Sequence, residues 1–250
     1  METYNTEYGE ITLYKNDKFI AAKFRDGNYW GKDTLHKLQQ YIDPAKNILE
    51  IGGHCGTSTV VYASYLNENA KVFVYEPQKK LYKLLLQNIN QNKLQTKIVP
   101  FQLGVFCYKG IGQMNSVDID GGGGEVLKRY NDNMQCNFGG IGLGDDGETI
   151  NLTTIDKMGL ENLGYIHCDA QGAENYIFSN AVNTITKYRP VILYENNQEN
   201  DKPLYDNVFS TYPEYEEESK FDIRSFCMNK LNYSSCIDKF NDSHDTLLIP

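Results

Sequence analysis

Four polar clusters in this chain each close a short apolar segment, the placement from which side chains reach a ligand. The first is Glu50-Ile51-Gly52-Gly53-His54-Cys55-Gly56-Thr57, entered from Asn47–Ile51. A strand that runs through a glycine-rich turn into a helix aims free backbone N–H groups and a positive dipole end at a ligand. Glycines there allow close approach and positive φ. The spacing Gly52, Gly53, Gly56 matches neither the dinucleotide Gly-x-Gly-x-x-Gly pattern nor a P-loop with its Lys-Ser/Thr. The second cluster, Val74-Tyr75-Glu76-Pro77, sets an acid about twenty residues beyond the turn. From there a carboxylate accepts hydrogen bonds from both hydroxyls of an adenosine ribose, whether in a nicotinamide dinucleotide or in S-adenosylmethionine. The third, Ile166-His167-Cys168-Asp169-Ala170-Gln171-Gly172-Ala173-Glu174, ends an apolar segment in a carboxylate that is costly to bury without a partner. The fourth, Leu193-Tyr194-Glu195-Asn196-Asn197, adds another carboxylate and two amides.

The elements that carry these clusters read as alternating strands and helices. Strands are predicted at Asn47–Ile51, Lys71–Tyr75, Lys97–Val105, Tyr165–Cys168 and Val191–Tyr194. Helices are predicted at Thr57–Leu66, Lys79–Asn92 and Ala173–Tyr188. Such alternation implies an α/β fold with a mostly parallel sheet, whose ligands bind outside the carboxyl ends of the strands. Ahead of it, Gly9–Arg25 reads as a β-hairpin around Lys15-Asn16-Asp17-Lys18, and Asp33–Tyr41 as a helix with Asp33 as its N-cap. At the end, Ser225–Leu231 reads as a short helix, with Tyr233–Asp238 and Thr246–Ile249 as closing strands. This divides the chain into a hairpin-and-helix extension, 1–46, and a domain, 47–250. Its irregular excursion at 106–150, which includes Gly121–Gly124, is a candidate substrate cover.

Composition narrows the classes. The chain has 250 residues, 40% hydrophobic and 23% charged, enough for a sizeable soluble core. A net charge of −9 argues against a broad nucleic-acid surface. No apolar run spans a bilayer, and no leader pattern opens the sequence. The six cysteines form no Cys-x-x-Cys pair and read as free thiols of a reducing, cytoplasmic setting. A homodimer is one candidate assembly.

The set Glu50–Gly56, Tyr75-Glu76-Pro77, Leu103-Gly104, Thr154-Ile155-Asp156, Ile166–Glu174 and Arg189–Glu195 resembles the FkbM-type methyltransferases of the class I superfamily, over roughly 47–197. The resemblance implies a Rossmann-like sheet with an antiparallel C-terminal strand, S-adenosylmethionine as cofactor, and O-methylation of a sugar hydroxyl in a glycan or glycoconjugate. By position, Glu50, Gly52 and His54 then surround the methionine part and Glu76 the ribose, with Gly53, Gly56, Thr57 and Pro77 also binding the cofactor. Gln102 and Leu103 flank the adenine, and Asp169 stands beside the methyl donor. Asp169 is the first candidate for taking the acceptor proton, with Glu195 and His167 behind it. Asp169, Glu195 and Asn196 are also candidate ligands for a divalent cation such as Mg²⁺. Strand alternation is expected to turn His167 away from the neighbours of Asp169. The chain departs from the family at Gln171, where relatives carry Glu, and at His167, where Lys is common. The acidic run Glu214–Glu218 reads as a solvated loop or a lid, and Trp30 as a packing residue or a stacking surface for a sugar. Two competing readings are a nicotinamide oxidoreductase on the same architecture and a degenerate methyltransferase fold that binds without turnover.

Overall fold

The computed structural model describes residues 1–116, 118 and 135–250, so the glycine run at 121–124 lies outside the described residues. The chain opens with an antiparallel hairpin, β1 (Glu2–Thr6) and β2 (Gly9–Leu13), followed by helices α1 (Ile20–Arg25) and α2 (Lys32–Leu38). The hairpin thus turns at Glu7-Tyr8 rather than at 15–18, and the residues read as its second arm form α1. Gly31, at φ 66°, precedes α2, while Asp33 lies inside its first turn instead of capping it.

Then come β3 (Asn47–Ile51), α3 (Thr57–Tyr65), β4 (Val72–Tyr75), α4 (Lys79–Gln91) and β5 (Ile98–Phe101). Residues 104–153 hold a second, four-stranded sheet of β6 (Gly104–Val105), β7 (Gly110–Met114), β8 (Leu143–Gly144) and β9 (Thr149–Thr153), ordered β6-β9-β7-β8. The excursion is therefore partly regular: β6 and β8 are too short to show a period of two, glycines interrupt it in β7, and only β9 alternates. The main sheet resumes with β10 (Leu163–Cys168), α5 (Glu174–Ser179), α6 (Val182–Tyr188) and β11 (Val191–Glu195). Helices α7 (Asn197–Asn200) and α8 (Lys202–Thr211) follow, and β12 (Ser235–Ile237) and β13 (Asp245–Ile249) close the chain.

The main sheet is ordered β12-β13-β11-β10-β3-β4-β5. Strands β3, β4, β5, β10 and β11 run parallel, while β13 is antiparallel to both β11 and β12. An all-parallel dinucleotide-binding sheet lacks that inserted antiparallel strand. Period-two alternation splits the core between the two faces. Ile48, Val72, Val74, Tyr165, Leu193 and Leu247 pack with α2 and α3. Leu49, Ile51, Ile166, Ile192 and Leu248 pack with Phe106, Tyr176 and Phe178. The N-terminal extension is pinned to this core by Asn88 of α4, which is fully buried. Its Oδ1 accepts from the Thr12 N–H at 2.8 Å and its Nδ2 donates to the Thr12 carbonyl at 3.0 Å.

Candidate active site

The carboxyl ends of β3, β4, β10 and β11 open on one cavity of about 1290 Å³. Its wall takes in Gly52, His54, Thr57 and Ser58 from the glycine-rich turn, Glu76 and Pro77 after β4, and Leu103. On the other side stand His167, Asp169, Gln171, Glu195 and Asp245. The geometry falls into two halves.

In the first half, backbone conformation opens the floor. Gly52 has φ 84°, and a Cβ there would lie 1.8 Å from the Asp169 carbonyl oxygen, so only glycine lets the turn pass this close to β10. Gly56, at φ 89°, leads into α3. His54 holds φ 50° without being glycine; its Nδ1 lies 3.0 Å from Cys55 Sγ, and its buried Nε2 has no partner. Burial lowers the His54 pKa and keeps the ring neutral. Glu76 is 3% exposed. One of its oxygens accepts from the His54 N–H and the other from the Gln78 N–H, both at 2.8 Å. Burial raises this carboxyl to about 8 against those two backbone donors. Each oxygen keeps a lone pair for a further donor, the arrangement a vicinal diol satisfies.

In the second half, two carboxylates meet across one amide. Gln171 Nε2 donates to Asp169 Oδ1 at 2.7 Å and to Glu195 Oε2 at 3.1 Å. Asn197 Nδ2 donates to the same Glu195 oxygen at 2.8 Å. Burial, then the charges of Asp169 and Glu174, push Glu195 well above the ordinary carboxylate range. His167 and Asp169 are two residues apart and share a face of the sheet, so alternation brings them together instead of separating them. His167 Nδ1 lies 3.2 Å from the Tyr62 hydroxyl and 3.8 Å from Glu50 Oε1. Burial lowers its pKa, but the hydrogen bond and charge of Glu50 more than reverse this, so the net shift is upward.

Several expected residues stand outside the wall. Glu50 is fully buried beneath it, accepting from Ser58 Oγ at 2.5 Å, and reaches the cavity only through Ser58 and His167. Gly53 and Gly56 also lie behind the lining, and Gln102 is exposed away from it while Leu103 lines it. Asn196 gives its N–H to the His244 carbonyl and does not join Asp169 and Glu195. The expected cation has little to hold it. The Gln171 amide already bridges the two carboxylates, and among the described residues no three His, Cys, Asp or Glu are grouped to ligate an ion. The run Glu214–Glu218 forms short helical turns away from the cavity lining, not a lid. Sequence reasoning missed Asp245. It begins an antiparallel strand, whose amino end reaches the edge where parallel strands present their carboxyl ends.

The model of the protein-L-isoaspartate(D-aspartate) O-methyltransferase family matches residues 32–129. That stretch holds the glycine-rich turn, Glu76 and Leu103, but nothing of the second half. No curated protein matches. A solved structure from Staphylococcus aureus, assigned as a caffeoyl-CoA O-methyltransferase, is 12% identical at a TM-score of 0.50, over 94% of this chain and 93% of that one. Methyltransferase FkbM from Methylobacillus flagellatus KT is 12% identical at a TM-score of 0.45. That match covers 81% of this chain but 57% of that one, so the chain spans little more than half its length. An O-methyltransferase from Bacillus cereus in complex with SAH is 14% identical at a TM-score of 0.41, over 88% of this chain and 80% of that one. Among the described residues no helix is long and apolar enough to cross a membrane.

Proposed function

We propose that this class I S-adenosylmethionine-dependent methyltransferase methylates a hydroxyl oxygen of a saccharide or glycoconjugate. The observation that carries the cofactor half is Glu76. It is a buried carboxylate with one backbone donor on each oxygen, and it lines the cavity beside the glycine-rich turn, whose His54 N–H it accepts. The family model ends with this half, so the acceptor is read from the other. A cavity of about 1290 Å³ exceeds the roughly 300–1,000 Å³ of a single drug-sized ligand, leaving room for an acceptor beside the cofactor. In the same lining Trp30 and Phe19, 40% and 37% exposed, offer aromatic surface for the apolar face of a sugar ring.

When bound, S-adenosylmethionine supplies an electrophilic methyl group on a sulfonium. The chain's task is to hold the acceptor oxygen in line and to take its proton. Asp169 takes the proton, held in place by Gln171. His167, raised by Glu50, lines the wall two residues away. The Gln171 amide stands where a divalent ion would sit, so this reading includes no metal. Residues 1–46 are an extension of the methyltransferase domain, and six cysteines with no disulfide among the described residues fit a reducing cytoplasm.

Calorimetry tests the cofactor half. The wild type is expected to bind S-adenosylhomocysteine and to ignore NAD at the same concentration. Glu76→Ala should weaken that binding by about 1.5–3 kcal/mol, the scale of hydrogen bonds to a charged group. Unchanged affinity would remove Glu76 from the ribose site. NAD binding in place of S-adenosylhomocysteine would return the chain to the oxidoreductases.

A further inference from the structure

We infer that the acceptor carries protonated amino groups, held by a row of three carboxylates, Asp169, Glu195 and Asp245, along one edge of the sheet. The inference rests on the methyltransferase reading above and deepens its acceptor. Glu195 and Asp245 are direct partners in the antiparallel β11–β13 pair, so their side chains share a face. In the parallel β10–β11 pair Cys168 faces Tyr194, which brings the next residue, Asp169, beside Glu195. The Gln171 amide ties those two together. All three acids line the cavity.

Like charges directly opposite one another weaken a sheet. Among the described residues no lysine or arginine is ion-paired with any of the three; His167 and His244 are the basic side chains nearby. Burial, ahead of neighbouring charge, also raises Asp245.

A second, independent observation points to a ligand. Gln171 is 8% exposed and spends its Nε2 on Asp169 and Glu195, and its buried Oε1 has no partner. Asn197, 1% exposed, gives Nδ2 to Glu195, and its buried Oδ1 likewise has none. The cluster is thus rich in acceptors and poor in donors. What completes it brings hydrogen-bond donors, and positive charge answers the three carboxylates.

The span of the row selects an organic cation. Neighbouring strands are about 4.8 Å apart, so the outer carboxylates stand about 10 Å from each other. A metal ion needs its oxygens within about 2.0–2.6 Å. The cofactor's own ammonium cannot serve the whole row either. Asp245 lies on β13, three strands from the β3 turn. An amino sugar, with ammonium groups spaced along a hydroxylated chain, matches the charge, the spacing and the aromatic residues of the lining together.

Glucosamine oligomers provide the probe. The wild type saturated with S-adenosylhomocysteine is titrated with the glucosamine tetramer and with its fully N-acetylated counterpart, which keeps the skeleton and loses the charge. The charged tetramer is expected to bind about tenfold tighter or more, the scale of one charge-assisted hydrogen bond. Asp245→Asn and, in parallel, Glu195→Gln should each erase most of that preference, and Asp245→Glu should keep it. Equal affinities, preference for the acetylated tetramer, binding of neither, or a preference intact in both neutral variants would overturn the inference. S-adenosylhomocysteine binding is read first, without saccharide. Its absence would count against the methyltransferase reading, so the two failures are told apart.

Discussion

Two structural facts make Asp169 the first candidate for the base in the proposed reaction. It follows the last residue of β10, at the carboxyl edge where an open α/β sheet presents its ligands. Its Oδ1 is also fixed by an amide, not by a lysine or arginine that would hold it as an unreactive ion pair. Asp169→Asn keeps the size and the polar contacts and removes the ability to take a proton. Turnover on the true acceptor should fall by about 10²-fold or more, the usual scale for lost acid–base assistance. Affinity for S-adenosylhomocysteine should change little. EDTA should leave wild-type turnover intact, because the position between Asp169 and Glu195 is filled by Gln171. A chelator-sensitive enzyme would mean that the amide moves aside for an ion. Nearly full turnover in Asp169→Asn would pass the proton to His167, whose raised pKa and Glu50 partner make it the next base along the wall. The place of Asp169 in the cavity wall was legible in the sequence because an acid closing an apolar run is conspicuous. Asp245 was not, because its place depends on the direction in which the last strand enters the sheet.

The elements that carry the site were legible where hydrophobic period and punctuation agreed. The segments Asn47–Ile51 and Thr57–Leu66 fall within a residue of β3 and α3, since a short apolar strand, a glycine turn and a helix each leave a separate mark. Elements whose pairing is non-local left no such mark. The second sheet is built from pairs as short as Gly104–Val105 and Leu143–Gly144. The predicted helix Ala173–Tyr188 is two helices, interrupted between Ser179 and Val182. The junction of β3 with β10 shows how tightly the site depends on element contact. Adding one carbon at Gly52 would set it 1.8 Å from the Asp169 carbonyl oxygen, in a backbone conformation that disfavours any side chain. Gly52→Ala should therefore cost about 2–4 kcal/mol of stability from overpacking and left-handed strain. It should also abolish S-adenosylhomocysteine binding, because relief comes only by parting the turn from β10. Thermal unfolding and calorimetry on the variant check both, and a near-native Tm with retained binding would show that the two elements are not rigidly coupled.

At the scale of the molecule, the site works against the fold, and pH exposes the conflict. Glu76 and Glu174 are both 3% exposed, and burial holds each carboxyl at about 8, against an ordinary glutamate value of 4.5. For an acid raised in this way, the folded state binds more protons than the unfolded chain between those two values. Stability then falls as pH rises through the window. His54 has the opposite sign, since its lowered pKa makes the unfolded chain the better proton binder, but only up to the ordinary histidine value of 6.5. His167, raised in the fold, adds to the fall above that value. Between about pH 6.5 and 8 these contributions point the same way. The Tm should drop across this interval, and Glu174→Gln, which removes the titrating acid and keeps an acceptor for one of the Ala170 and Gly172 N–H groups, should make the drop shallower. S-adenosylhomocysteine should stabilise more at the upper end, because ribose hydroxyls donating to Glu76 favour its ionised form. A Tm that holds level or climbs from pH 6.5 to 8 would mean that these carboxylates are already ionised in the folded chain. The burial that shapes the cavity would then not be what tunes it.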